Sequence, residues 1–121
     1  MQRHNVSSGA EYESTVGYSR AVRTGPLVVV AGTTGAGDDI AIQARDALQR
    51  IGIALHEVGA SFTDVVRTRM YVTDISRWRE IAEVHAEAFG DIRPVSTMVE
   101  VSALISPELL VEIEVDAYVG E

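Results

Sequence analysis

The most constraining feature of this chain is a segment near its carboxyl end with two chemically opposite faces. Residues 109–117 alternate one by one, and a period of two is typical of a β-strand. One face carries only apolar side chains: Leu109, Val111, Ile113, Val115 and Ala117. The other face carries three carboxylates: Glu112, Glu114 and Asp116. A sheet that contains this strand must bury the first face and provide cations or solvent for the second.

Four more segments have the composition of strands, and two have the spacing of helices. The strands are predicted at residues 17–23, 27–31, 65–72 and 95–101. The second of these is apolar on both faces and is therefore expected in the middle of a sheet. Apolar residues at three- and four-residue spacing predict helices over 40–58 and 75–89. Asp39 is expected to cap the first helix, and Trp78 and His85 are assigned to the core side of the second.

These elements follow one another as β-β-α-β-α-β-β. This order predicts an α+β fold with a single mixed sheet and two helices on one face. The chain of 121 residues is long enough for one domain. We expect that domain to span residues 15–121, after a flexible N-terminal arm over residues 1–14.

The face of the sheet without helices is predicted to carry arginines, carboxylates and tyrosines together. Arg20, Arg67 and Arg69 would lie opposite the three carboxylates of the last strand. Two interpretations fit this pattern. The charges form cross-strand ion pairs on an exposed surface, or this face is buried against further copies of the chain, where arginine and tyrosine are enriched.

Charge and composition exclude several classes of function. The net charge is −8 and all ten cations are arginines, which disfavours a nucleic-acid backbone as partner. Cysteine is absent, which removes thiolate catalysis and cysteine metal sites. The three histidines lack metal-ligand spacing, so no metal and no cofactor are expected. No segment resembles a signal peptide or a membrane span. We expect a soluble cytoplasmic protein.

A glycine-rich loop follows the apolar strand at residues 32–37. It precedes a helix, as a phosphate-binding loop would, but it lacks the Gly-Lys-Ser/Thr ending and the Gly-x-Gly-x-x-Gly pattern. Asp38 and Asp39 come next, where they would repel a phosphate. A turn followed by a helix cap is therefore the favoured interpretation.

Several motifs together resemble the Rid superfamily, also called the YjgF-like or endoribonuclease L-PSP family. They are Gly17-Tyr18, Ala31-Gly32, the segments 43–48 and 65–74, Val111–Glu114 and, above all, Pro94-Val95-Ser96-Thr97-Met98-Val99-Glu100-Val101. The resemblance covers about residues 15–119. It implies a chorismate-mutase-like α+β fold, assembled as a homotrimer with clefts for a small metabolite between subunits.

The resemblance also implies roles for particular residues. Tyr18 matches a cleft tyrosine, Gly32 a backbone contact to the ligand, and Glu112 a glutamate that positions water. In the deaminase branch, an arginine in a Pro-Ala-Arg-Ser segment holds the substrate carboxylate. The match places Ser96 at that arginine and Met98 where cysteine is common.

Serine cannot replace the bidentate, charge-assisted bond of an arginine to a carboxylate. Arg20, two residues after Tyr18, could supply a cation to the cleft from another direction. An ion pair between Arg20 and a glutamate at an interface is the competing interpretation.

The resulting hypotheses differ in chemistry. In the first, the chain is a hydrolase of an imine, an enamine or a related reactive intermediate, but not a standard 2-iminoacid deaminase. Its ligand is then a small anionic molecule, and Glu112 is the catalytic residue. In the second, the chain is a non-catalytic trimer that binds a small metabolite. The third, an endoribonuclease or translation inhibitor, fits poorly with the charge of −8.

Overall fold

The alternating segment near the carboxyl end lies in the interior of a six-stranded sheet. The structure is a computed structural model that describes residues 2–120. The strands are β1 (Arg3–Val6), β2 (Ala21–Thr24), β3 (Leu27–Thr33), β4 (Val65–Val72), β5 (Val95–Glu100) and β6 (Val111–Tyr118). The helices are α1 (Glu11–Val16), α2 (Ile40–Glu57) and α3 (Trp78–Phe89). The strand order is β1-β2-β3-β6-β4-β5, and β4 and β5 run parallel while the other pairs are antiparallel.

The two faces of β6 differ as its sequence predicts. Val111, Ile113, Val115 and Ala117 are buried, whereas the three carboxylates between them are half-buried. Helix α2 packs on β3, β6 and α3, which covers the apolar face. The core between helices and sheet includes Ile51, Leu55, Ile81 and Phe89. The predicted α+β fold, with the long helices on one face of a single mixed sheet, is confirmed.

On the other face, arginines and carboxylates from adjacent strands pair within the chain. Arg69 on β4 lies 3.5 Å from Glu114 and 3.4 Å from Asp116 on β6. The Tyr71 hydroxyl donates a hydrogen bond of 2.7 Å to Glu114. This bond, with burial as a smaller cause, raises the pKa of Tyr71. The acidic face of β6 is therefore tolerated because β4 supplies cations and a donor at matching register.

The predicted cap of α2 is present, and the turns after this helix are also closed by local hydrogen bonds. The Asp39 side chain accepts from the Ile42 backbone N–H and caps α2. Gly59 follows the helix with a φ of +78°, a left-handed conformation that favours glycine. Ser61 and Asp64 form a reciprocal capping box around a single 3₁₀ turn.

The N-terminal segment differs from the flexible arm predicted for residues 1–14. Strand β1 pairs antiparallel with β2 at the edge of the sheet, and Val6 is buried. Helix α1 follows and ends at Gly17, whose φ is +88°. The predicted strand at residues 17–23 therefore begins only at Ala21, and Tyr18 and Arg20 lie in the connection that leads into β2.

The starts of β4 and α3 depart from regular periodicity, and the predicted core assignment of Trp78 was wrong. Val66 is half exposed because a register shift between Val65 and Arg67 reverses the alternation at the start of β4, so that Val65 is buried instead. Trp78 is 44% exposed at the first position of α3, where Arg79 lies 4.6 Å from its ring centroid. A 3₁₀ turn at Ile75–Arg77, capped by Asp74, delays the start of the helix and places the indole outside the core.

Candidate functional site

A cleft of about 1070 Å³ opens beside β3 and β6. Its walls come from the segment between β1 and β2, from the second half of α2 and from the loop before β6. Four of the predicted site residues line it: Tyr18, Arg20, Gly32 and Glu112. Residues from four different parts of the chain therefore meet in one place.

Gly32 on β3 and Glu112 on β6 lie close together in the cleft. A β-carbon at position 32 would collide with the Glu112 carboxylate, so glycine is required there for this arrangement. The ladder between the two strands shifts register between Val30 and Thr33, as expected for a β-bulge. The bulge interrupts regular pairing at the point where the carboxylate crosses the backbone of the neighbouring strand.

The environment of Glu112 alters its acidity. Partial burial raises the pKa of this carboxyl above its ordinary value, and the nearby charge of Glu114 raises it further. The positive charge of Arg20 acts in the opposite direction with a smaller effect. A carboxyl group with a raised pKa holds and releases a proton closer to neutral pH, which suits a general base or acid.

Arg20 is held on the floor of the cleft by neutral acceptors. One terminal nitrogen donates to the Thr33 hydroxyl at 3.0 Å and the other to the Gly32 carbonyl at 3.0 Å. The guanidinium carbon lies 5.7 Å from the centroid of the Tyr18 ring. Among the described residues, no carboxylate lies within 4.0 Å of the Arg20 guanidinium. Its charge is therefore not neutralised by a direct ion pair within residues 2–120.

The remaining Arg20 nitrogen, Nε, is buried and has no hydrogen-bond partner among residues 2–120. A buried donor without an acceptor is costly, and such groups are rare in folded proteins. The cleft thus contains a cation whose hydrogen-bonding capacity is not fully used by the chain itself.

The sequence did not reveal the wall formed by residues 7–16. Glu13 on α1 is buried, and its carboxylate accepts hydrogen bonds from the Ser8 hydroxyl and from the Ser8 N–H at 2.9 Å. These bonds lower the pKa of Glu13. The signal was a polar Ser7-Ser8-Gly9 turn ahead of a glutamate, which is too common to identify a site by itself.

Ser96 and Met98 lie elsewhere in the chain. Both are on β5, which is separated from β3 by β6 and β4. Met98 packs against the core, whereas Ser96 is exposed and its hydroxyl accepts a 2.7 Å bond from Thr68. The structure brings together four of the six predicted site residues and leaves these two at the opposite edge of the sheet.

Two further features bear on the class of site. Within residues 2–120, no cluster of three or more His, Asp or Glu side chains has a metal-binding arrangement. None of the helices in that range is long and apolar enough to span a bilayer.

Comparisons with known proteins agree with this fold. The family model described as Endoribonuclease L-PSP matches residues 8–119. A crystal structure of Rv2704, a member of the YjgF/YER057c/UK114 family from Mycobacterium tuberculosis, is 75% identical, covers 98% of this chain and 100% of its own, and superposes with a TM-score of 0.97. A Rid-family protein from Yersinia pestis is 28% identical over 98% of this chain and 100% of its own, with a TM-score of 0.84. SCO2049 from Streptomyces coelicolor, called an uncharacterized protein, is 33% identical over 95% of this chain and 91% of its own length.

Proposed function

This chain belongs to the endoribonuclease L-PSP family, the Rid or YjgF superfamily, and on that premise we propose that it is a cytoplasmic homotrimer that hydrolyses a small reactive imine, enamine or related intermediate in clefts between subunits. The observation that carries this proposal is the meeting of Glu112, Gly32, Tyr18 and Arg20 in one cleft. A carboxyl with a raised pKa lies there beside a cation and a phenol.

Each residue has a chemical role in the proposed reaction. Glu112 orients a water molecule and accepts its proton as the oxygen attacks the C=N carbon. Tyr18 hydrogen-bonds the substrate, and the Gly32 backbone lies beside the carbinolamine oxygen, on which negative charge develops as the C–N bond breaks. Glu112 returns this proton to the nitrogen, and collapse of the carbinolamine breaks the C–N bond, releases ammonia and leaves a carbonyl product, so water is the only co-reactant.

The position and contacts of Arg20 favour an anionic ligand in the cleft. Its guanidinium is held in place by Thr33 and Gly32, and it has a buried Nε without a partner among residues 2–120. A fixed cation in a partly enclosed cleft attracts a carboxylate or another anionic group. We propose that Arg20 supplies the positive charge that the family resemblance expects at position 96.

The position of Ser96 and Met98 supports assembly into a trimer. Strand β5 is an edge strand, and its Val95 and Val99 are 60% and 42% exposed. An exposed apolar edge strand is normally covered, and a second copy of the chain is the partner we propose. Residues of β5 would then line the cleft of a neighbouring subunit.

Two alternatives make different predictions. A non-catalytic trimer that binds a small metabolite is favoured by Ser96, because serine lacks the charge that would anchor the carboxylate of a 2-imino acid. An endoribonuclease is disfavoured by the net charge of −8 and the absence of lysine.

The proposal is tested with 2-iminopropionate generated in situ by an amino-acid oxidase. We expect Ser96→Arg to release pyruvate and ammonia faster than the wild type, and Glu112→Gln to remove the acceleration in either background. The assembled mass should be measured on the same samples by light scattering. A monomeric mass contradicts clefts between subunits. Trimers without hydrolysis in any variant favour the binding protein.

A further inference from the structure

A chain of hydrogen-bonding side chains connects helix α3 to the edge strand. His85 on α3 lies with its Nε2 2.9 Å from the Thr68 hydroxyl oxygen on β4. Thr68 in turn donates to the Ser96 hydroxyl on β5 at 2.7 Å. Thr68 and Ser96 are paired in the parallel ladder, so the contact is fixed by strand register. Three residues far apart in sequence thus form one network.

The polarity of this network follows from the number of protons available. A threonine hydroxyl has one proton, and Thr68 uses it toward Ser96. The bond between Thr68 and His85 therefore requires His85 Nε2 to be the donor. Burial lowers the pKa of His85, so its ring is neutral at neutral pH and carries its single proton on Nε2. The centroid of the His85 ring lies 4.8 Å from the centroid of the buried Phe89 ring, and this packing limits rotation of the imidazole.

Ser96 is left with a free proton. Its oxygen accepts from Thr68, so its own O–H is available to an acceptor outside the network. Thr68 is fully buried, whereas Ser96 is exposed. The buried Thr68 hydroxyl therefore determines that the accessible Ser96 hydroxyl acts as a hydrogen-bond donor.

We infer that Ser96 is a single uncharged hydrogen-bond donor to the cleft ligand, held in that role by His85 through Thr68. It receives an uncharged acceptor oxygen, such as an amide or a carbonyl, rather than a carboxylate, because one neutral hydroxyl does not offset the cost of removing a charged group from water. This inference rests on the proposed function, because Ser96 reaches a cleft only if a neighbouring copy supplies it. It assigns the two ends of the ligand to different groups: an anionic end to Arg20 and a neutral end to Ser96. His85 and Thr68 are positioning residues.

The test compares two probes of nearly equal size. Succinamate has a carboxylate and an amide, whereas succinate has two carboxylates, and the affinity of each is measured by calorimetry. We expect the wild type to prefer succinamate by about three- to tenfold, the range of one neutral hydrogen bond. Ser96→Ala should weaken the binding of succinamate by about that factor, and Ser96→Arg should reverse the preference.

The positioning role has its own readout. Nitrogen-15 NMR of the wild type should show His85 as the Nε2–H tautomer. Thr68→Val, which keeps the shape but removes the hydroxyl, should weaken the binding of succinamate as Ser96→Ala does, and Thr68→Ser should restore it. An Nδ1–H tautomer overturns the inference without any variant.

The outcomes separate the two proposals. If both probes bind equally to the wild type and to Ser96→Ala, while Tyr18→Phe weakens both, the inference is wrong and the cleft assignment stands. If neither probe binds, the inference is overturned, and the imine assay with its mass measurement decides whether the proposed function falls as well.

Discussion

The Glu112 carboxylate lies against the backbone of Gly32, in space that a β-carbon at position 32 would occupy. The two residues are on neighbouring strands, and a register shift in the ladder between β3 and β6 places them face to face. The contact determines where the carboxylate with the raised pKa can lie.

Gly32→Ala should therefore separate function from stability. The added methyl group displaces the end of a flexible side chain, so we expect the unfolding free energy to fall by only about 1 kcal/mol. Activity on the imine substrate should fall about 100-fold, because the carboxylate no longer lies at its position. Gly120→Ala is the matched control, since nothing lies within 4 Å of its added carbon. Equal activity of the two variants would contradict a role for the contact.

The raised pKa of Glu112 predicts a pH dependence of both rate and stability. The rate should increase with pH as the carboxyl loses its proton, with a midpoint above that of an ordinary glutamate. The folded chain holds this proton more tightly than the unfolded chain does. The contribution of Glu112 to stability is therefore fully present below the unfolded pKa and is lost as the pH rises through the folded pKa.

Denaturation of the wild type and of Glu112→Gln across the acidic range measures this contribution. The wild type should lose stability relative to the variant as the pH increases through that window. A difference between the two that does not change with pH would show that Glu112 has an ordinary pKa.

The paired charges on the open face of the sheet should contribute modestly to stability. Arg69 contacts two carboxylates across strands, at 3.5 Å and 3.4 Å. Arg69→Met should lower the unfolding free energy by about 1 kcal/mol, because among the described residues it leaves Glu114 without a paired cation and leaves Asp116 only Arg67, at 4.0 Å. Arg45→Met, which removes a more exposed pair with Glu87, should change it by less than about 0.5 kcal/mol. Urea denaturation of both variants at equal ionic strength measures the two changes in unfolding free energy. A larger effect for Arg45 would show that the cross-strand pairs are not stabilising.

The aromatic residues at the two ends of α3 should differ strongly in their contribution to the free energy of unfolding. Phe89 is buried and packs against the rings of Phe62 and His85. Phe89→Ala should cost about 3–5 kcal/mol through the cavity that it leaves. Trp78 is 44% exposed, so Trp78→Ala should cost less than about 1 kcal/mol. Thermal or urea unfolding compares them directly, and a large loss for Trp78→Ala would show that the indole is covered in the assembled protein.

Local patterns in the sequence determined strands β2 to β6, the two long helices and the chemistry of their faces, but not β1 and α1. The alternation of residues 109–117 predicts β6 with one apolar and one acidic face, because side chains of a strand alternate by geometry whatever the fold. The caps Asp39 and Ser61 likewise act on backbone groups only a few residues away. Such interactions are contained within a short segment and can be read from it.

Contacts between distant segments were decided only by tertiary structure. Val66 is exposed because of a register shift that depends on the neighbouring strand, and Trp78 was misassigned because a 3₁₀ turn moved the start of its helix. Nothing in the sequence placed Thr68 between His85 and Ser96, or the Glu112 carboxylate over Gly32. The periodicity of a strand specifies which face each residue occupies. Strand order and register, which result from the packing of the whole core, specify which residues meet.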